Sequence, residues 1–385
     1  MAHWRDQLRD HLDHLQHRHS QRRLRAIDRC ALHVQRDGRS LINLASNDYL
    51  GLASHPKLRD AAIDAATRFG VGAGASRLLT GHLQIHQQVE RCFAEFKHAE
   101  AALLLPTGYM AAMAALTSLA EPGDLLCLDK LCHASLIDAA RASDATVRVY
   151  PHRNLDKLER LLDRAAARRK LIVTDSVFSM DGDCADLPAL CDLRDRHDAI
   201  LIVDEAHATG VLGETGSGLA EAQGVADRMD VVISTASKAL GCLGGIVIGP
   251  QVVIDTLVNA ARSFIYTTAV PPMQAAAIGA ALEVIRDEPH RRVRLDELSQ
   301  HLRRELRGQA WTVADDPTPI IPLVVGDPAA ALALADRLEQ AGFAVPAIRP
   351  PTVAPGSCRL RISLRADLED GDIGRLLDAL GKSVC

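Results

Sequence analysis

From residue 101 onward the chain alternates short apolar runs with stretches in which leucine and alanine recur every three or four positions. Ala102–Leu105, Leu125–Leu128, Val147–Tyr150, Leu171–Thr174, Ile200–Val203, Val231–Ser234 and Ile246–Ile248 read as strands. Most of them are apolar throughout, as burial on both faces demands, whereas a strand with one wet face would alternate apolar and polar residues. Between them, Leu155, Leu158, Leu161 and Leu162 share one stripe of a helix. This alternation predicts an α/β fold of three layers, with a mostly parallel central sheet covered on both sides. Ligands of such sheets gather at the carboxyl ends of the strands, and the polar residues of this chain fall at those ends.

The flanks read differently. Residues 2–30 are charged, with His11, His14, His17 and His19 beside Leu8, Leu12 and Leu15. No cysteine or carboxylate cluster completes a ligand set, so the expectation is a surface helix whose leucine stripe docks on the body rather than a metal site. Arg22, Arg23 and Arg25 follow, either as solvated charge or as a clamp for an anionic substrate, and nothing local decides between them. Leu41–Leu52 predicts a short strand turning into a loop. Gly70–Arg77 is glycine-rich but matches neither of the usual phosphate fingerprints. Val89, Phe93 and Phe96 fit one face of a helix. Ser263–Leu282 is the longest uncharged stretch, yet Pro271-Pro272 interrupts it and its second half is rich in alanine. A buried helix beginning near Pro272 is therefore predicted in place of a membrane span. Beyond residue 290, helices rich in arginine and leucine and short strands near Ile320–Val325 and Arg359–Leu364 predict a smaller domain, with Asp315–Pro319 as a linker inside it.

Composition narrows the partners. A formal charge of −5 leaves no basic footprint for nucleic acid. The nine cysteines form no Cys-x-x-Cys pair and follow no secretory signal, which predicts reduced, buried thiols in the cytosol. At 385 residues there is room for a large core and one smaller domain.

The candidate chemistry centres on Lys238. The strand at 231–234 runs into Ser234-Thr235-Ala236-Ser237-Lys238, with Gly241, Gly244 and Gly245 just beyond, and this lysine is one of only seven in the chain. A desolvated lysine amine is a nucleophile toward carbonyls, although the ammonium of such a residue can also snorkel to water. Other strand ends converge on the same edge. Gly108-Tyr109 begins a helix whose free backbone N–H groups suit an anion or phosphate. His133 follows a second strand, and a third runs through Thr174 and Asp175 to Ser179 and Asp183. The fourth ends in Asp204-Glu205-Ala206-His207. Asp204, directly after an apolar strand, needs a cationic partner, and a protonated ring nitrogen would serve. The carboxylate would in turn raise that nitrogen's pKa and keep the ring an electron sink. Lys238 lies 34 residues further on, enough for one helix and one strand. A lysine, an aspartate and a phosphate-binding helix start on neighbouring strand ends are what pyridoxal phosphate (PLP) chemistry requires. The Asp204–His207 box also matches that of nucleic-acid-dependent ATPases, but those need a phosphate loop. The only Gly-Lys-Ser here, Gly381-Lys382-Ser383, stands two residues from the end of the sequence, with Gly374 at the wrong spacing.

Ser46-Asn47-Asp48-Tyr49-Leu50-Gly51, Asp181-Gly182-Asp183, Asp204–His207 and Ser234–Lys238, in this order, resemble the α-oxoamine synthases, fold-type-I PLP enzymes that condense an amino acid with an acyl thioester and release carbon dioxide. Ala347-Ile348-Arg349-Pro350-Pro351-Thr352-Val353 is similar to the members that use L-alanine and a pimeloyl thioester, carried on coenzyme A or on acyl-carrier protein; sister members take glycine and other acyl chains. Ala354-Pro355 and Arg365-Ala366-Asp367 depart from the pattern usual in the family. The resemblance implies an N-terminal arm (1–45), a large PLP-binding domain (46–288) and a small α+β domain (289–385). It implies a cytoplasmic homodimer with shared active sites and no membrane or nucleic-acid partner. Lys238 would hold the cofactor and shuttle the α-proton, Asp204 would pair with the ring nitrogen and His133 would stack on the ring. His207 and Ser179 would serve the ring oxygen. Thr235 and the Gly108 and Tyr109 backbone would take the phosphate, with Thr267 or Thr268 from the other subunit. Asn47 and Arg361 would bind the amino acid carboxylate, and Arg22, in preference to Arg23, would contact the acyl substrate with Thr352.

Overall fold

The structure, a computed structural model, describes residues 3–381. Its chain divides into two compact units, one of residues up to Ser46, Glu297–Asp315 and those from Pro319 on, the other of Asn47–Asp296 with Asp316–Thr318.

The smaller unit opens with α1 (Trp4–His17), β1 (His33–Arg36) and β2 (Arg39–Asn43). Asp37 and Gly38 both have positive φ, 51° and 76°, the geometry of a tight two-residue hairpin turn that joins β1 to β2. In α1 no residue is buried, and Trp4, Leu8 and Leu12 are 59%, 55% and 48% exposed. The expected docking of the leucine stripe is thus not found; α1 is held by its own ladder, the His3 cap and an Arg9–Asp6 ion pair.

The larger unit carries α2 (Pro56–Phe69), α3 (Gln84–Phe96), β3 (Ala101–Leu105), α4 (Gly108–Leu119), β4 (Leu125–Asp129), α5 (Ala134–Ala142), β5 (Thr146–Tyr150), α6 (Leu155–Arg164), β6 (Lys170–Asp175), α7 (Leu187–His197) and β7 (Ala199–Asp204). There follow α8 (Leu219–Ala222), β8 (Val231–Thr235), β9 (Gly245–Gly249), α9 (Gln251–Ala260), α10 (Arg262–Ile265) and α11 (Pro272–Asp287). All seven strands expected from the apolar runs join one sheet, in the order β3-β9-β8-β7-β6-β4-β5. Only β9 is reversed, pairing antiparallel with β3 and β8, while the remaining pairs are parallel. Alternate strand residues, such as Leu103, Leu126, Val173, Ile202 and Ile233, form one core with α4, α5 and α9. Their neighbours Leu104, Cys127, Ile172, Leu201 and Val232 are buried on the other face, where α3 and α7 lie against β3 and β7. The layers are therefore helix, sheet, helix, and the strands inside the exposed edge strand β5 are apolar on both sides because both sides are covered. As expected, α11 starts with Pro272 at its first turn and buries its alanines.

The division between the units falls within α12 (His290–Gly308). The smaller unit then adds β10 (Ile320–Gly326), α13 (Pro328–Gln340), β11 (Phe343–Ala344), β12 (Ala347–Ile348), β13 (Cys358–Ser363) and α14 (Asp370–Leu380). Strand β11 lies parallel to β2, and this pairing puts the segment up to Ser46 in the smaller unit. A second sheet runs β10-β13-β12.

Two expectations need correction. Asp316–Thr318 is more than a linker within the small domain: Asp316 Oδ1 accepts from Cys184 N at 3.1 Å and the Thr318 hydroxyl donates to Gly182 O at 2.6 Å, so the segment belongs to the larger unit. Of the eight cysteines described, all unpaired, Cys30 and Cys92 are exposed rather than buried, since each sits on a turn or helix face turned away from the core. Lys382, Ser383 and Cys385 lie outside the described residues.

Candidate active site

Six of the seven strands of the large sheet run the same way, so the ends of β3, β4, β6, β7 and β8 meet on one edge. That edge gathers Gly108, His133, Ser179, Asp204, His207, Thr235 and Lys238, each within four residues of a strand end. Lys238 is half-buried in a loop closed by three backbone bonds, Ala236 N to Gly244 O at 2.9 Å, Cys242 N to Ala236 O at 2.8 Å and Gly241 N to Lys238 O at 2.8 Å. Gly241 has φ +65°, and a Cβ there would stand 2.3 Å from Ala53 N, so only glycine closes this turn.

Asp204 is 8% exposed. Its Oδ1 accepts from Ala206 N at 2.8 Å, while Oδ2 has no hydrogen-bond partner among the described residues. Its register neighbour on β6 is Asp175, a residue that strand-end reasoning passed through without assigning a role. Desolvation, reinforced by the Asp204 charge, pushes the Asp175 carboxyl well above the usual carboxylate range. Asp175 Oδ2 also accepts from His133 N at 2.8 Å, fixing the start of α5.

His133 caps α5: its Nδ1 accepts from Ser135 N at 3.2 Å and lies 2.7 Å from the Ser135 hydroxyl. The residue keeps accessible surface, yet desolvation of its ring, and then the Lys238 charge, lower its pKa. Both effects favour the neutral imidazole. His207, 7% exposed, has Nδ1 2.7 Å from the hydroxyl of Tyr49, which also donates to Asn47 Oδ1 at 3.3 Å. Tyr49 is wholly buried and ties two expected site residues together; its place in the Ser46–Gly51 motif was the one signal that could have found it.

The expected phosphate elements also meet. A Cβ on Gly108 would stand 3.3 Å from Thr235 Cβ, so the start of α4 lies directly against the end of β8. Thr107 caps the helix by accepting from Met110 N at 3.2 Å, and the N–H groups of Gly108 and Tyr109 have no partner among the described residues. The Thr235 hydroxyl donates to Gly244 O at 2.7 Å and lies 2.8 Å from the exposed hydroxyl of Ser237, a further candidate that the sequence reading left out. Thr267 and the exposed Thr268 sit on a loop held by Ala269 N to Ala75 O at 3.0 Å and by His86 Nε2 to Val270 O at 2.7 Å. Burial drops the His86 pKa to about 4, in keeping with a neutral ring that donates through Nε2 and accepts from Leu83 N. A half-buried amine, a carboxylate oxygen without a partner, a neutral imidazole and unpaired helix-start N–H groups fit PLP.

Directly after Asp204, Glu205 takes part in a different arrangement. Its Oε2 lies 2.7 Å from Lys97 Nζ and its Oε1 accepts from Ala220 N at 2.9 Å. Lys97 also donates to Thr209 Oγ1 at 2.8 Å and to Ser217 O, and Thr209 accepts from Ser234 Oγ at 2.9 Å.

In the smaller unit, the exposed Arg22 reaches Thr352 Oγ1 at 3.4 Å, while Arg23 turns to Gln21 instead. Arg25 is bound by Asp37 and Glu339, so of the three arginines it is the one already committed to the fold. Arg361 is 4% exposed on β13, with Nη1 donating to Ser363 Oγ at 2.7 Å. Arg365 is 1% exposed and makes a bidentate pair with Asp367, so the unusual Arg365-Ala366-Asp367 closes on itself.

Residues 39–380 match the family model for aminotransferase class I and II. The chain is 48% identical to the 8-amino-7-oxononanoate synthase of Anaeromyxobacter dehalogenans over 90% of its own length and 87% of that protein. Among solved structures, it is similar to serine palmitoyltransferase from S. paucimobilis with PLP and myriocin bound, at 27% identity and a TM-score of 0.92, covering 97% of this chain and 96% of that one. It is also similar to 8-amino-7-oxononanoate synthase from Francisella tularensis, at 28% identity and a TM-score of 0.77, covering 88% and 96%.

Proposed function

Because the chain belongs to the class I and II aminotransferase family and, within it, to the 8-amino-7-oxononanoate synthases, we propose that its strand-end site joins L-alanine to a pimeloyl thioester. The protein is a PLP-dependent acyltransferase whose products are 8-amino-7-oxononanoate, carbon dioxide and the free thiol. PLP, when bound, supplies an electron sink for the charge that develops at the alanine Cα.

The remaining work falls to this chain's residues. Lys238 Nζ holds the cofactor, then takes the α-proton from alanine and later returns a proton to the same carbon. Asp204 Oδ2 would pair with the ring nitrogen, His133 would stack on the ring, and His207 and Ser179 would serve the ring oxygen. The Gly108 and Tyr109 N–H groups and Thr235 would take the phosphate, with Thr267 or Thr268 of the partner subunit in a homodimer. Asn47 and Arg361 hold the alanine carboxylate, the guanidinium fixing its orientation so that the bond to carbon dioxide is the one that breaks. Arg22 and Thr352 contact the acyl chain. A new carbon–carbon bond forms at the thioester carbonyl as the thiol leaves, and the alanine carboxyl departs as carbon dioxide. We place the reaction in the cytoplasm, a reading supported by the eight described cysteines, which form no disulfide among themselves; among the described residues no helix is long and apolar enough to cross a membrane.

The observation that carries this reading is the Asp204 oxygen without a partner among the described residues, at the edge that also bears His133 and Lys238. The test is thiol release by cofactor-loaded protein with alanine or glycine crossed against pimeloyl-CoA and acetyl-CoA. Release with alanine and pimeloyl-CoA is expected; preference for glycine and acetyl-CoA would move the protein to a sister activity. Lys238→Ala should abolish both turnover and the cofactor linkage fixed by borohydride, and persistence of either would remove the lysine from its role.

A further inference from the structure

The segments that carry His133 and Ser179 are joined by a cluster the reaction does not use. Asp129 ends β4, four residues before His133. Asp183 closes the turn that holds Ser179, through Phe178 N to Asp183 O at 3.0 Å and Gly182 N to Phe178 O at 2.8 Å. Between them stands His152, its Nδ1 3.0 Å from Asp129 Oδ1 and its Nε2 2.8 Å from Asp183 Oδ2. Carboxylate oxygens only accept, so both ring nitrogens carry hydrogen and the ring is an imidazolium. Its ring stands nearly perpendicular to that of Phe178, with 4.3 Å between centroids.

We propose that His152 is a positioning residue of the cofactor site: its doubly donating ring ties the turn leading to His133 to the turn carrying Ser179, and loss of that tie loosens PLP. The inference rests on the PLP reading above.

Other charges around the ring support it. Asp129 also accepts from Leu131 N and Arg153 N, each at 2.8 Å, and Arg153 Nη1 donates to Asp183 Oδ2 at 3.2 Å. Tyr150, buried beside Asp129, has its phenol pushed well above the usual range, first by desolvation, and stays neutral. Desolvation alone would lower the His152 pKa, but the bonds to Asp129 and Asp183 outweigh it and raise the value to about 9. A histidine raised in the folded state contributes fully below its unfolded value of about 6.5 and loses that contribution as pH rises through about 9. The clamp is therefore closed at neutral pH and opens in mild alkali.

The experiment titrates PLP into the apo-protein, wild type and His152→Gln, between pH 7 and 10. At pH 7.5 the variant's Kd should be about tenfold weaker. The ratio of the two Kd values should fall toward one above pH 9.5, because the wild type then loses the same charge; titration of Lys238 affects both proteins alike and cancels. His152→Gln with Asp183→Asn, which leaves one fewer carboxylate uncompensated, should recover part of the loss. A ratio below two at pH 7.5, or one that does not change with pH, would overturn the clamp. Should His152→Gln fail to fold, the nitrogen NMR signals of the wild-type ring at pH 8 decide instead: two protonated nitrogens support the proposal and a neutral ring refutes it. Wild-type protein that binds no PLP at pH 7.5 would sink the functional reading first.

Discussion

Asp204 and Glu205 are neighbours at the end of one strand, both nearly inaccessible, and they meet opposite circumstances. Glu205 and Lys97, with side chains 2% and 3% exposed, satisfy one another and are closed in by Thr209, Ala220 and Ser217. Asp204 keeps an oxygen without a partner among the described residues. A buried charge is costly unless matched, so the first carboxylate has been matched by the fold and the second is left for something the chain does not itself supply. Strand alternation separates the two: consecutive side chains point to opposite faces, one into the packed layer and one toward the open edge.

The contrast can be broken most forcefully at Lys97. Lys97→Ala strands the Glu205 charge and should cost about 3–5 kcal/mol in urea unfolding, whereas Lys97→Met combined with Glu205→Gln should recover most of it. If the single variant unfolds at the wild-type midpoint, the pair is not what holds this loop. Asp204→Asn sharpens the contrast from the other side. The amide keeps the acceptor for Ala206 N, so stability should stay within about 1 kcal/mol, while turnover falls by about a hundredfold or more. Equal losses in stability and turnover would mean that Asp204, like Glu205, is structural. The smallest effect belongs to Tyr49→Phe, which removes one hydroxyl from between His207 and Asn47. It should lower kcat/KM for alanine about tenfold, the consequence of losing the hydroxyl that bonds a buried histidine nitrogen; an unchanged value would separate Asn47 from His207.

What the sequence made legible follows the same division. The strands and their polar ends could be read because continuous apolar runs are local, and because a functional residue at a strand end adjoins that run in the chain. The Lys97–Glu205 pair spans 108 positions and the His152–Asp129 contact 23, and no local pattern announces either. Nothing in Leu8 and Leu12 distinguishes a helix that docks from one that stays exposed. The β1–β2 hairpin is another matter, since Asp37-Gly38 is a local and standard signal for a two-residue turn. Asp316–Thr318 looked like a linker because proline and aspartate suit linkers, yet the same residues supply the acceptor and hydroxyl that hold the Cys184 turn.

The reversal of β9 has a consequence for chemistry that must use one amine twice. Because β8 returns at once as β9, Lys238 sits on a short closed loop whose backbone is bonded across its own mouth and pressed against Ala53. Its anchor is fixed, and only the side-chain methylenes swing. In the proposed reaction an amine displaced from the cofactor would not diffuse away, and would stay at a high effective concentration near the carbon it deprotonates. The loop would thereby turn a leaving group into a tethered reagent, kept at hand for the proposed proton transfer and then for recapture of the cofactor.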